Sequence, residues 1–364
     1  MKIFSVIEYL ETLAPPAFQE SYDNAGLLTG SDQWECTGII VSLDVTEEVL
    51  REAVKNECNL IVAHHPIIFR GLKRLSGKNY VERTVIAAIK NDLAIYAIHT
   101  NLDNVIEGVN GKIAEILGLK NLRVLQARDQ VLKKLITFVP LKHAETVRSA
   151  LFEADAGKLG KYSECSFNAE GVGTFKAGEG ADPHVGEIGK RHEEKETKIE
   201  VIFPAYLQNK IVEAMIKAHP YEEAAYDIFS LSNFSDIGSG LIGELTEEID
   251  ETVLLQKIKT SFDLKIIKHT AFLNKKVKKI AVCGGAGSFL IDAALATKAD
   301  VYITSDIKYH EFFDADNKLL LIDIGHYESE QFTMDLLCAK LQGKFPNFAV
   351  LKTKSNTNPV RYFL

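Results

Sequence analysis

Three short stretches join histidine to histidine or to carboxylate: HHP at 64–66, HTNLD at 99–103 and HYESE at 326–330. Adjacent side chains in an extended segment point to opposite sides, so His64 and His65 are placed to serve two neighbouring ions, one each. His326 and Glu330 are four apart and share a face where the segment turns helical. A carboxylate such as Glu330 or Asp103 can bridge two cations, whereas a neutral imidazole offers one nitrogen to one metal. The pattern predicts a dinuclear centre, with His99 as a further candidate. Two divalent cations about 3.5–4 Å apart generate hydroxide near neutral pH and stabilise charge on an attacked atom. One histidine at a strand end is more often a hydrogen-bonded structural residue or a cap; the repetition carries the reading.

Such residues need a scaffold that brings them together. Each motif follows a strand-like apolar run: NLIVA, LAIYAI and LLLIDIG. Around them, Val/Ile/Leu-rich runs alternate with helical patterns such as TEEVLREAVKNE and YVERTVIAAIKND. That alternation predicts βαβ units and a parallel sheet covered on both faces. Ligands gather beyond the carboxyl ends of such strands, so all three motifs are expected at the same edge of one sheet. The fold class read here is α/β, with a main domain built from both chain ends, 1–130 plus 233–364. Between them, residues 131–232 read as strand, helix, hairpin-like strands, strand, helix and strand, an inserted ferredoxin-like α+β domain.

Composition narrows the functional classes. The chain of 364 residues carries 42 Lys+Arg against 50 Asp+Glu, a net charge of −8. It has no basic block with interleaved aromatics, so direct nucleic-acid binding is not expected. Five cysteines without a CxxC pair exclude a zinc ribbon and argue against a disulfide framework. No apolar run of about 18 residues or signal-peptide pattern is present, so no membrane association and a cytoplasmic location are expected.

CGGAGS, at a strand-to-helix turn, could cradle a phosphate on the backbone N–H groups of Gly284, Gly285 and Gly287, although it lacks the Lys-Ser/Thr of a Walker loop. Gly runs at such turns are also common for steric reasons alone. Asp306, Lys308 and His310 follow the run VYITS at the same expected edge, making His310 a candidate proton donor. His99 is the other candidate for a catalytic role. RHEEKE (191–196) reads as a solvated charge run, HPYEE (219–223) as a turn and strand edge, and 171–189 as a Gly-rich hairpin or loop.

YDNAGLLTG (22–30), SLDVT (42–46), VAHHPIIFRGLK (62–73), AIHTNLD (97–103), VCGGAGS (282–288), YITSDIKYHE (302–311) and IGHYESE (324–330) together resemble the Nif-three-like dinuclear metal centre hexameric proteins. Members are commonly described as GTP cyclohydrolase I type 2 homologues. The resemblance spans essentially the whole chain. It implies two divalent cations per subunit, zinc or iron with manganese or cobalt as alternatives, on His64, His65, Asp103, His326 and a shared Glu330, with His99 a close neighbour. It also implies a homohexameric toroid with the metal centres facing an internal cavity, and a PII- or CutA-like insert. Ser305 departs from the Gly usual there, a change that could alter the loop but removes no ligand. The implied activity is metal-dependent hydrolysis of a small, nucleotide-like substrate, GTP if the cyclohydrolase description holds. The alternatives are a metal-dependent regulatory or ligand-sensing protein without catalysis, and a dinuclear phosphatase or phosphodiesterase.

Overall fold

The computed structural model describes residues 1–233 and 235–363. It divides into two compact units, one formed by Met1–Ala127 with Asp236–Leu364 and the other by Arg128–Ser235.

The first unit contains two sheets. In one, the strands run in the order Gly26–Thr29, Ala94–Ala97, Leu60–Ala63, Ile39–Ser42 and Val350–Lys352. The last four are mutually parallel and Gly26–Thr29 is an antiparallel edge. In the other, the order is Lys268–His269, Leu320–Asp323, Val301–Ser305, Lys276–Ala286, Gly238–Asp250 and Lys120–Ala127. Only the pairings among Lys276–Ala286, Val301–Ser305 and Leu320–Asp323 are parallel. The single sheet expected from the sequence is therefore two. Each half also lends a strand to the other's sheet, Val350–Lys352 to the first and Lys120–Ala127 to the second.

The parallel strands Ile39–Ser42, Leu60–Ala63, Ala94–Ala97, Val301–Ser305 and Leu320–Asp323 are buried along their length, as the apolar runs require. One hydrophobic core joins residues of both sheets, among them Val62, Tyr96, Val282 and Ile322, through Leu10, Ile113, Leu254 and Leu337 of four helices. The outer face of the first sheet is covered by Glu47–Lys55 and Tyr80–Lys90, whose Val49, Ala53, Val85 and Ala88 pack on Ile40, Ile61 and Ile95. Both helices start on side-chain caps, Thr46 and Asn79. Among the described residues, no helix is long and apolar enough to cross a membrane.

The second unit has the element order βαββαβ: Leu132–Pro140, Ala144–Glu153, Ser166–Lys176, Arg191–Pro204, Gln208–Ala218 and Tyr226–Ser230. Its antiparallel sheet places Arg191–Pro204 and Leu132–Pro140 centrally, which is ferredoxin-like topology. Leu135, Ile199, Val201 and Phe203 on one face pack against Val147, Leu151, Ile211 and Met215 of the two helices. RHEEKE lies in the Arg191–Pro204 strand with its side chains alternately exposed and half-buried until Glu196.

Within the first unit, Ala127 and Gly238 are cross-strand partners. The segment between them therefore departs and returns on neighbouring strands. Deleting 128–235 leaves Asp236 and Ile237 as a two-residue hairpin turn, a length that antiparallel pairs close readily. The shortened chain should fold with the remaining secondary structure intact, checked by circular dichroism and a single cooperative thermal transition.

Candidate metal centre

The sequence placed all the ligand candidates at one edge of one sheet, and the structure corrects this. His64 and His65 follow the Leu60–Ala63 strand and Asp103 closes a one-turn helix after Ala94–Ala97, both in the first sheet. His326 and Glu330 bound a one-turn helix after Leu320–Asp323 in the second sheet. The cluster lies where the carboxyl ends of strands from two sheets converge.

Glu330 is the point of convergence. Its Oε2 lies 3.0 Å from His65 Nε2 and 3.2 Å from His326 Nε2, while Oε1 lies 3.8 Å from His64 Nε2. His64 Nε2 is also 3.6 Å from Asp103 Oδ1, and the Nε2 atoms of His65 and His326 are 3.4 Å apart. The helical turn brings His326 and Glu330 onto one face, as their spacing predicts. His99 packs edge-on to His64 and His65, with ring centroids at 5.2 and 5.4 Å.

Each imidazole is fixed through its other nitrogen. His64 Nδ1 lies 2.9 Å from the Ile98 carbonyl, which can only accept, so Nδ1 carries the hydrogen and Nε2 keeps its lone pair for the centre. Asp44, Asp306 and Asp23 accept in the same way from Nδ1 of His65, His326 and His99, at 2.8, 2.7 and 2.8 Å. This is the carboxylate–histidine arrangement that orients metal ligands. Three buried atoms at the centre, His64 Nε2, Asp103 Oδ1 and Glu330 Oε2, have no hydrogen-bond partner. Leaving such groups unmatched costs about 1–3 kcal/mol each. Nitrogen and carboxylate lone pairs aimed at shared space fit divalent cations.

The three orienting aspartates went unrecognised as such in the sequence, although each lies inside a quoted motif. Asp44 and Asp306 sit just past strand ends, a position that could have pointed to them; for Asp23 there was no comparable signal.

The charges are strongly coupled. Burial opposes protonation of His65, but Glu330 and Asp44 outweigh it and push its pKa up to about 10. Burial likewise disfavours charged His326, and Asp306 with Glu330 overcomes it, raising the pKa to about 11. Burial and the Glu330 charge push Asp103 up to about 7. Burial disfavours ionised Glu330, yet His65, His326 and His64 hold its pKa well below the ordinary carboxylate range.

Two other candidates sit in surroundings that the sequence did not show. The turn at 284–287 is poorly suited to phosphate: the Gly284 N–H donates to Asn110 Oδ1 at 2.9 Å and the Gly285 N–H to Ser329 Oγ at 3.0 Å. Its glycines answer a steric need. A Cβ on Gly285, whose φ is +63°, would meet Glu330 Oε1 at 2.3 Å, and one on Gly287 would meet Thr304 Oγ1 at 2.3 Å. Ser305 reinforces the turn by donating to the Gly285 carbonyl at 2.5 Å. His310 is the second residue of the 3-10 segment Tyr309–Ala315, with its ring against Tyr309 and Phe313, exposed and not lining the cavity described next.

The centre opens into a cavity of about 820 Å³. Its walls include the aromatic side chains of Tyr22, Phe69, Tyr80, Phe289, Tyr327 and Tyr362. Seven carboxylates line it, Glu20, Asp44, Asp103, Asp306, Asp323, Glu328 and Glu330, against one lysine, Lys268, which lies 2.5 Å from Asp323. Part of one wall is the segment after the Val350–Lys352 strand. It is tied down by Thr357 Oγ1 to Asp44 Oδ2 at 2.7 Å and Asn358 Nδ2 to Glu328 Oε1 at 3.0 Å. Asp44 thus joins this wall to His65.

The fold agrees with that of a solved relative of the chain. Residues 1–359 match the family model Duf34/NIF3 (NGG1p interacting factor 3), and the chain belongs to that family. It is 41% identical to the "GTP cyclohydrolase 1 type 2 homolog" of Halalkalibacterium halodurans over 88% of this chain and 87% of that protein. It is 37% identical to the Bacillus subtilis protein of the same name, over 98% and 97%. The crystal structure of a Bacillus cereus protein related to NIF3 superposes with a TM-score of 0.84 at 38% identity, covering 100% of this chain and 99% of that one.

Two outcomes follow from this geometry. Gly285→Ala should lower both the thermal midpoint and the metal content, since the added methyl meets Glu330 and the left-handed backbone disfavours it; elemental analysis and a melting curve check this. In the metal-free chain His65 and His326 hold protons at pH 7, because their pKa values are raised. Cation binding at their Nε2 atoms must displace those protons, so affinity should rise with pH by roughly tenfold per unit for each proton released. Calorimetry in buffers of different ionisation heat counts the protons.

Proposed function

We propose that the chain is a metal-dependent hydrolase with a dinuclear centre, acting on a small ring-bearing, nucleotide-like molecule. The observation that supports it best is the convergence of three unpartnered buried atoms, His64 Nε2, Asp103 Oδ1 and Glu330 Oε2, beside imidazoles whose other nitrogens are already fixed. In this reading His64 and Asp103 would hold one cation and His65 and His326 the other, with Glu330 a ligand common to both. The chemistry supplied by such a pair is Lewis acidity and water activation near neutral pH. Zinc and iron suit this mixed nitrogen and oxygen donor set, as do manganese and cobalt.

The protein's own residues do the rest. Asp44, Asp306 and Asp23 keep three imidazoles in register. His99, with Nδ1–H directed at Asp23, has Nε2 left to accept a proton from a reacting group and return it to a leaving group. The aromatic walls receive a flat ring and exclude water from its faces. The names of the relatives support a nucleotide-like substrate, with the ring of GTP as the first candidate. A homohexamer, expected from the family resemblance, belongs to the same proposal and is checked by light scattering.

The test is elemental analysis of wild type and Glu330→Ala, followed on the same samples by a hydrolysis screen of nucleotides including GTP. About two metals per chain, lost in the variant, with metal-dependent turnover supports the proposal. Two metals without turnover favours a sensing role, phosphodiester cleavage favours a phosphatase, and no bound metal overturns the dinuclear centre.

A further inference from the structure

Apart from the two metal ions proposed for the centre, the cavity supplies almost no cation for a phosphorylated ligand. Its one lysine, Lys268, is held by Asp323, and the carboxylates around it repel an anion. The glycine turn has spent the N–H groups of Gly284 and Gly285 within the fold. Unused positive charge lies instead on the segment RGLKRLSGKN, 70–79, which follows the cavity-lining Phe69 and precedes the cavity-lining Tyr80.

That segment carries Arg70, Lys73, Arg74 and Lys78 and no acidic residue. All four are exposed, and among the described residues none of these side chains has a hydrogen-bond or ion-pair partner. Both ends of the segment are anchored. Asn24 Nδ2 donates to the Ile68 carbonyl at 2.6 Å on one side. On the other, the Ser76 N–H, Ser76 hydroxyl and Lys78 N–H converge on Glu82 Oε2 at 2.8, 2.8 and 3.1 Å. The stretch between, with Arg70, Lys73 and Arg74, is fixed at both flanks and unpaired in its middle. Four like charges in nine residues repel one another unless an anion joins them. Arginine is well shaped for that anion, since its guanidinium presents two parallel N–H bonds to phosphate oxygens.

We propose that segment 70–78 is a phosphate-binding loop at the cavity rim. It holds the phosphate end of a ring-bearing phosphorylated ligand through Arg70, Lys73 and Arg74, while the ring lies in the cavity against Phe69 and Tyr22. The inference rests on the reading of the cavity as the substrate site. It divides recognition in two, with the ring read inside an acidic, aromatic chamber and the charge read outside it.

The experiment measures equilibrium binding of GTP, guanosine and pyrophosphate to the full metal-loaded chain. The proteins are wild type, Arg70→Ala/Arg74→Ala and Arg70→Lys/Arg74→Lys, with metal content and assembled mass determined on each sample. The expected result is that wild type binds GTP at least ten times more tightly than guanosine. The alanine variant should bring that ratio close to one with guanosine affinity unchanged, and the lysine variant should keep part of it. Equal binding of GTP and guanosine by wild type, an unchanged ratio in the alanine variant, or no binding of GTP or pyrophosphate overturns the proposal. So does a change of assembled mass in place of a change in the ratio, which would make the loop a subunit contact. Failure of the dinuclear reading is separately visible, as a wild type that binds no metal.

Discussion

The structure around the centre is organised by one buried carboxylate. Glu330 is 3% exposed, and an isolated carboxylate so placed would carry a desolvation penalty of several kcal/mol. Three imidazoles approach it, from Leu60–Ala63 in one sheet and from the turn after Leu320–Asp323 in the other. The surrounding backbone gives way to it: Gly284 and Gly285 have no side chain where a Cβ would meet Glu330 Cγ or Oε1. The neighbouring Ser329 holds the Gly285 N–H, so the helical turn carrying the carboxylate and the glycine turn making room for it brace each other.

Around that point the charges are layered. Carboxylates contact the histidines, and further hydrogen bonds fix the carboxylates. Burial would raise the pKa of Asp23, but it accepts from His99 and from both the hydroxyl and the N–H of Thr100, and these partners bring it down to about 2. Asp44 receives His65 on one oxygen and Thr357 on the other. Ligand orientation is thereby set by carboxylates behind the imidazoles, a common device for holding a site to close tolerance.

Much of this was legible in the residues. The apolar runs marked the parallel strands because those strands are buried on both faces, and the i, i+4 spacing of His326 and Glu330 marked a helical turn. The division into two sheets was not legible, because Lys120–Ala127, Gly238–Asp250 and Gly26–Thr29 are antiparallel, less buried, and patterned ambiguously. The glycine turn misled for a related reason: a Gly run reads the same whether its N–H groups face a ligand or are consumed by Asn110 and Ser329. The start of the loop 70–79 lies in a quoted motif that ends at Lys73, but its significance depends on its place between the cavity-lining Phe69 and Tyr80, and that is a property of the fold.

The convergence of two sheets on one carboxylate also has a temporal side. His65 and His326 face each other across 261 residues of chain, and the first sheet is completed only by Val350–Lys352. Contacts so distant in sequence carry a large loop-closure cost and form late in folding. During synthesis the segments with His64, His65 and Asp103 leave the ribosome long before Glu330, so the early half of the centre must persist without the carboxylate on which it converges. A cation captured at that stage would be held by half a site, and the last few dozen residues determine when the centre closes around it.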